Sequence, residues 1–212
     1  MSRNNEPRKG KGKKVVSLIV DGETEIWYFQ MMKQYESFKN FDIKPELPKK
    51  KKLSELFKLV ESHAPDYSEV FWIIDFDTIL KETNETKGGE KTKIQELNEY
   101  IEKLKIYENV KVLINAPCLE FWYLLHFKET GKFYQSCEPI CKVLENTILK
   151  GYLKTEKYYK KKDSDIYSRL LPYQQAAIIN AEKLGDYNIG DPLKAKAEIY
   201  QLMKMNLEKY ST

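Results

Sequence analysis

Three short apolar runs constrain the fold of this chain most strongly: residues 15–20 (VVSLIV), 70–74 (VFWII) and 110–114 (VKVLI). Each is rich in β-branched or aliphatic residues on both faces, which is typical of strands buried in a parallel sheet. The segments between them repeat apolar residues at helical spacing, and residues 41–47 alternate weakly like a further strand. Strands that alternate with helices predict an α/β fold, with a parallel sheet flanked by helices.

The pattern changes near residue 128. Beyond it no strand is predicted, and residues 138–148, 167–184 and 194–210 have the spacing of amphipathic helices. We therefore expect an α/β domain at 15–128 and a helical extension at 129–212 that packs on it. Residues 1–14 hold six basic residues and one acid and are predicted to be a disordered tail. Such a tail either promotes solubility or strengthens nucleic-acid binding by screening phosphates.

The composition of the chain indicates the cellular compartment in which we expect the protein. No apolar run approaches the ~18 residues that a membrane span needs, and the basic N-terminus lacks the apolar stretch of a signal peptide. We expect a cytoplasmic protein without a membrane partner. The odd count of three cysteines fits reduced thiols better than a disulfide framework. Cys137 and Cys141, without a second Cys pair or a nearby His, do not predict a zinc site.

Acidic residues follow the predicted strands. Asp21 comes directly after the first strand, with Glu25 one helical turn further on. Asp75 and Asp77 follow the most apolar strand, and strand alternation would direct both to one side. Glu120 opens the helix after the last predicted strand. Because the carboxyl ends of parallel strands meet at one edge, these five carboxylates are predicted to converge there.

A cluster of carboxylates requires a neutralising charge. Oxygen ligands at this density select a hard cation such as Mg²⁺ or Mn²⁺, which drives phosphoryl transfer in many enzymes. The structural alternative is that the Asp75–Asp77 motif caps a turn and that Asp21-Gly22 is a turn dipeptide.

His63 and His126 are not assigned a catalytic role, and the motifs of serine hydrolases, P-loop NTPases and dinucleotide-binding folds are absent from the sequence.

Three segments, IVDGETEIWYF, WIIDFD and NAPCLEFWYLLHF, resemble the RloB-like family in order and spacing. The resemblance implies a Toprim-like core, similar to the nuclease part of OLD-type defence proteins. It also implies catalytic roles for Glu25, Asp75, Asp77 and Glu120, with these four and Asp21 as metal ligands. Asp21 stands where the family pattern has Glu, and Ala116 is inserted within the last motif.

The resemblance implies a metal-dependent endonuclease of restriction or phage-defence loci, acting on DNA or RNA with Mg²⁺ or Mn²⁺. Residues 158–162 (YYKKK) resemble a Tyr/Lys stretch of the family, so Lys160, Lys161 and Lys162 are candidate nucleic-acid contacts. Two alternatives stay open: a non-catalytic nucleic-acid-binding or effector component, and metal-dependent chemistry on a nucleotide or small phosphate ester. A partner protein encoded beside it is a further expectation, and the oligomeric state is not predicted.

Overall fold

The computed structural model describes residues 14–36, 41–46 and 52–210. Strands β1 (Lys14–Ile19), β2 (Phe41–Glu46), β3 (Glu69–Asp75) and β4 (Val110–Ala116) are parallel, and the sheet order is β2-β1-β3-β4. A fifth strand, β5 (Lys196–Ala197), adds to the β4 edge in the antiparallel direction. The predicted α/β class, with a mostly parallel sheet flanked by helices, is confirmed.

Alternate residues of the three central strands β1, β3 and β4 face two separate hydrophobic cores. On β1, Leu18 packs into one core and Ile19 into the other; on β3, Phe71 and Trp72 divide in the same way. The register pairs Ile19 of β1 with Trp72 of β3, so these two large side chains lie side by side on the same face of the sheet. Buried on both faces, these strands need apolar residues at every position, which explains the continuous runs in the sequence.

Helices cover both faces. The second core holds α2 (Leu53–His63), α3 (Phe76–Asn84) and α4 (Lys93–Leu104). The first holds α1 (Glu23–Tyr35) and α5 (Leu119–Leu125), together with apolar residues from the C-terminal part of the chain. Side chains beyond residue 128, among them Ile140, Tyr167 and Ile178, thus share one core with β1 and α1.

The C-terminal part contains α6 (Glu138–Leu144), α7 (Glu156–Tyr159), α8 (Ile166–Leu170), α9 (Gln174–Glu182) and α10 (Tyr200–Tyr210). The single helix predicted over 167–184 is wrong, because Pro172 lies in a 3-10 turn that separates α8 from α9. The expectation of no strand beyond residue 128 is also wrong. A two-residue strand such as β5 is too short to leave a periodic pattern, and the carboxylate of Glu198 holds it to β4 by accepting the Ile114 backbone N–H at 2.7 Å.

Residues 1–13 of the predicted basic tail lie outside the described residues, whereas Lys14 begins β1. In the part of the chain that the structure describes, every helix falls short of the length and apolar character that a bilayer crossing requires.

Candidate metal centre

Glu25 is held at the carboxyl end of β1 by a tight turn. The chain leaves β1 through Asp21 and Gly22 and enters α1, whose first turn carries Glu25 with only 1% of its surface exposed. A Cβ on Gly22 would overlap Glu25 Oε2, so a side chain at residue 22 is excluded while the carboxylate keeps this position. Gly22 is therefore needed for the close approach of the backbone to the Glu25 carboxylate, in addition to its place in the turn.

Asp75 ends β3, the neighbour of β1, and lies opposite Asn115 in the β3–β4 register. Its Oδ1 atom is shielded from solvent and has no hydrogen-bond partner among the described residues. The same is true of Glu25 Oε1 and of both polar side-chain atoms of Asn115. Buried polar atoms without partners are costly in a folded protein, so a ligand is the expected occupant of this position.

One oxygen atom from each of Asp21, Glu25 and Asp75 lies within 4.8 Å of the others, which meets the geometric requirement for a shared cation. Burial, Asp21 and Glu120 together raise the pKa of Glu25 to about 8. Burial and the charge of Glu25 also raise the pKa of Asp75 well above its ordinary range. Oxygen donors and accumulated negative charge fit a hard divalent cation such as Mg²⁺ or Mn²⁺.

Asp77 reaches the site from a different element than predicted. The helix α3 begins at Phe76, so Asp77 lies in its first turn and the strand-alternation argument for Asp75 and Asp77 is wrong. The Asp77 backbone N–H donates to Pro117 O at 2.9 Å, which ties this turn to the end of β4. Burial raises the pKa of Asp77, an effect that Lys154 partly offsets.

Asp77 lines an open groove of about 460 Å³ together with Lys81, Asn84, Gln135 and Ser136.

Glu120 lies in the first turn of α5 and is completely buried. It has partners of its own: Oε1 accepts the Tyr152 hydroxyl at 2.6 Å and the Lys154 ammonium at 2.9 Å. The Tyr152 hydroxyl also hydrogen-bonds that of Tyr159. Glu120 is not within the close triad of Asp21, Glu25 and Asp75, although its charge raises the pKa of both Glu25 and Asp75.

A family model described as RloB-like protein matches residues 17–205, which is most of the chain. The chain belongs to the RloB-like family. The resemblance predicted from the three strand-end segments is thereby confirmed. No curated protein and no solved structure matches this RloB-like chain. The Toprim-like comparison and the roles of the individual acids stay predictions.

Lys154 is the basic residue that sequence reasoning missed at this RloB-like site. Burial lowers the pKa of its ammonium, but the charge of Glu120 and the hydrogen bond to it outweigh burial, and the pKa is raised. Its side chain keeps 45% of its surface exposed, so the ammonium is open to solvent on one side. No local sequence pattern marks Lys154, because 34 residues separate it from Glu120 in the chain.

The lysines predicted as nucleic-acid contacts directly follow α7, with Lys160 as its C-terminal cap. Lys160 forms an ion pair with Glu156 at 2.6 Å, one helical turn away. Lys161 and Lys162 are exposed. Their contact with nucleic acid stays a prediction.

The cysteines of this RloB-like chain differ from expectation. Cys118 and Cys137 form a disulfide with a Cα–Cα distance of 5.9 Å, so the expectation of three reduced thiols is wrong. Cys118 precedes α5 and Cys137 precedes α6, and the two helix starts meet beside Glu120. Their separation of 19 residues hides this proximity from a sequence pattern. Cys141 is a free thiol.

Proposed function

We propose that this chain is a divalent-metal-dependent nuclease that hydrolyses phosphodiester bonds in nucleic acid and acts in restriction or phage defence. The supporting observation is the convergence of Asp21, Glu25 and Asp75, in which a buried oxygen of Glu25 and one of Asp75 have no partner among the described residues. Like charges at this range repel one another unless a cation is bound, and an arrangement selected only for stability would avoid them. The defence role rests on the family resemblance alone.

Asp21, Glu25 and Asp75 would hold Mg²⁺ or Mn²⁺, with Asp77 at the mouth of the site. When bound, such an ion lowers the pKa of its water and neutralises charge that develops on phosphoryl oxygens. Asn115, beside Asp75, offers an amide for orienting a ligand because its polar atoms have no other partner among the described residues.

Lys154 would contact the scissile phosphate. Glu120 Oε1 accepts hydrogen bonds from both the Tyr152 hydroxyl and the Lys154 ammonium, so Glu120 and Tyr152 hold the ammonium in place from one side. The exposed side of the Lys154 ammonium then presents a point charge to a phosphate oxygen. We assign Glu120 the role of positioning Lys154, in place of direct coordination.

The groove beside Asp77 supports a polymeric substrate. It is open rather than enclosed, and Lys81, Asn84, Gln135 and Ser136 on its lining would contact the sugar–phosphate backbone. The carboxylates of Asp77 and Glu85 also line it and would face a phosphate only across a bound cation. The exposed Lys161 and Lys162 would extend the contact, and the basic residues 1–14 would add salt-dependent affinity. A mononucleotide would use only the end of such a groove.

The test is cleavage of labelled single- and double-stranded DNA and RNA, with mononucleotides alongside, in Mg²⁺, Mn²⁺ or EDTA. We expect cleavage only with metal, and its loss in Glu25→Gln and Asp75→Asn. Glu23→Gln is the matched control because Glu23 is an exposed carboxylate in the same turn of α1. Lys154→Gln should lower the rate by about 10²- to 10³-fold, the usual cost of removing one group that stabilises developing charge.

Lys157→Gln is the control for Lys154, since Lys157 is an exposed lysine on α7. Activity in EDTA, or activity that survives both Glu25→Gln and Asp75→Asn, would refute the proposed mechanism. Metal-independent binding of nucleic acid without cleavage would assign the chain to the class of non-catalytic nucleic-acid-binding components.

A further inference from the structure

A second group of metal-ligating side chains lies next to the carboxylate site and includes Glu120. Ligand atoms of Cys118, Glu120 and Cys137 all lie within 4.8 Å of one another, and the three residues are buried. Cys137 Sγ is 2.7 Å from Glu120 Oε2, the oxygen that neither Tyr152 nor Lys154 contacts. These donors are distinct from the triad described above, and two of the three are sulfur.

The donor set identifies the class of ligand. Thiolates select soft or borderline cations such as Zn²⁺, whereas Mg²⁺ and Mn²⁺ prefer oxygen. Two thiolates and one carboxylate supply three of the four positions of a tetrahedral zinc site. We propose that Cys118, Cys137 and Glu120 bind one soft divalent cation such as Zn²⁺ when the cysteines are reduced, and that the disulfide closes this site.

The charges of the residues around the two cysteines favour the replacement of the disulfide by two thiolates and a bound cation. In the disulfide state, the ionised Glu120 is balanced by the ammonium of Lys154. In the metal-bound state, two thiolates and Glu120 carry three negative charges, and the cation with Lys154 carries three positive charges. The exchange of two thiol protons for one dication thus leaves the net charge of the buried cluster unchanged, which avoids the cost of burying an excess charge. Lys154 Nζ lies 3.5 Å from Cys137 Sγ and would stabilise the thiolate.

The redox step is balanced by an external reductant. A dithiol donates two electrons and two protons, becomes a disulfide itself, and converts the Cys118–Cys137 bond into two thiols. Binding of the cation then releases the two thiol protons to solvent. In the reverse step a small-molecule disulfide accepts the two electrons and two protons from solvent, becomes two thiols, and re-forms the Cys118–Cys137 bond. The cation is then released, because a disulfide sulfur carries no negative charge to donate. The occupancy of the cluster would therefore follow the redox state of the pair.

The test uses full-length protein in two states: air-oxidised, and reduced with a phosphine that is then removed under argon. A thiol-reactive dye counts free thiols in each state. Co²⁺ serves as the spectroscopic probe, because thiolate coordination produces a sulfur-to-metal charge-transfer band that carboxylate coordination does not. We expect one bound Co²⁺ per reduced chain with this band, its displacement by Zn²⁺, and no band in the oxidised protein.

Variants assign the ligands. Cys137→Ser should weaken Zn²⁺ binding by at least about 10- to 100-fold, the loss typical of disturbing a ligand's environment. Cys141→Ser is the matched control, since Cys141 lies one turn along the same helix and is outside the cluster. Glu120→Gln should weaken binding but retain the band.

A reduced parent protein with all thiols free and no charge-transfer band would overturn the proposal. So would an equally strong band in Cys137→Ser. The comparison of oxidised and reduced parent needs no variant, so the result holds even where a substitution prevents folding. Because the readout is metal absorption and not cleavage, it is independent of the proposed nuclease.

Discussion

Glu25→Gln tests the carboxylate site through stability, without knowledge of the substrate. In the metal-free protein the pKa of Glu25 is about 8, against an ordinary value of 4.5. Between these values the native state retains a proton that the unfolded chain releases, so the free energy of unfolding falls as pH rises. The slope is about 1.4 kcal/mol per pH unit for one proton, and from pH 4.5 to pH 7 the loss is about 3 kcal/mol.

Glutamine has the same shape and does not ionise. Its amide oxygen retains an acceptor for the Thr24 hydroxyl, which lies 3.1 Å from Glu25 Oε2. In EDTA at pH 7 the variant should therefore be more stable than the parent by about 3 kcal/mol, which corresponds to about 6–12 °C in melting temperature for a chain of this size. The gain should shrink toward pH 4.5, where the carboxyl is protonated in the native state and about half protonated in the unfolded chain.

Thermal unfolding from pH 4.5 to pH 8, in EDTA and in Mn²⁺, provides the measurement. Mn²⁺ at about 1,000 times its Kd should reverse the order, because the cation then stabilises the parent by about 4.1 kcal/mol and binds the variant less well. Glu23→Gln, the exposed control in the same turn, should stay within about 0.5 kcal/mol of the parent throughout. A variant that is no more stable than the parent at pH 7 in EDTA, or a gain that does not depend on pH, would refute this reasoning.

Three further outcomes are expected. Deletion of residues 1–13 should reduce the slope of log K against log salt for duplex binding by roughly 0.9 for each phosphate that the tail neutralises; an unchanged slope would exclude the tail from binding. Asp21→Glu should preserve or raise Mn²⁺ affinity measured by calorimetry and Asp21→Asn should lower it, whereas equal affinity in all forms would assign Asp21 to the turn alone. Glu198→Ala should destabilise the fold by about 1–3 kcal/mol in urea unfolding, because it leaves the buried N–H group of Ile114 without an acceptor and removes the acceptor of the half-buried Tyr187 N–H; Glu198→Gln should cost less.

The sequence alone determined the layered architecture and the gathering of acidic residues at one edge of the sheet. Apolar residues at every position of 70–74 encode a strand that is buried on both faces, because period and burial are local properties of the chain. The placement of acids directly after two such strands was also readable, since parallel strands share a carboxyl edge. Asp21, Glu25 and Asp75 converge there for this reason.

Only the tertiary structure decided what surrounds those acids. Asp77 belongs to α3, and the sequence did not reveal this helix because the alternation Asp75-Phe76-Asp77 also fits the end of a strand. Lys154 meets Glu120 across 34 residues, and Cys118 meets Cys137 across 19. Contacts at such separations depend on how whole helices pack on the sheet, a relation between distant segments that leaves no periodic trace in either one. Local pattern thus encodes which residues face a core, whereas packing alone determines which side chains share a site.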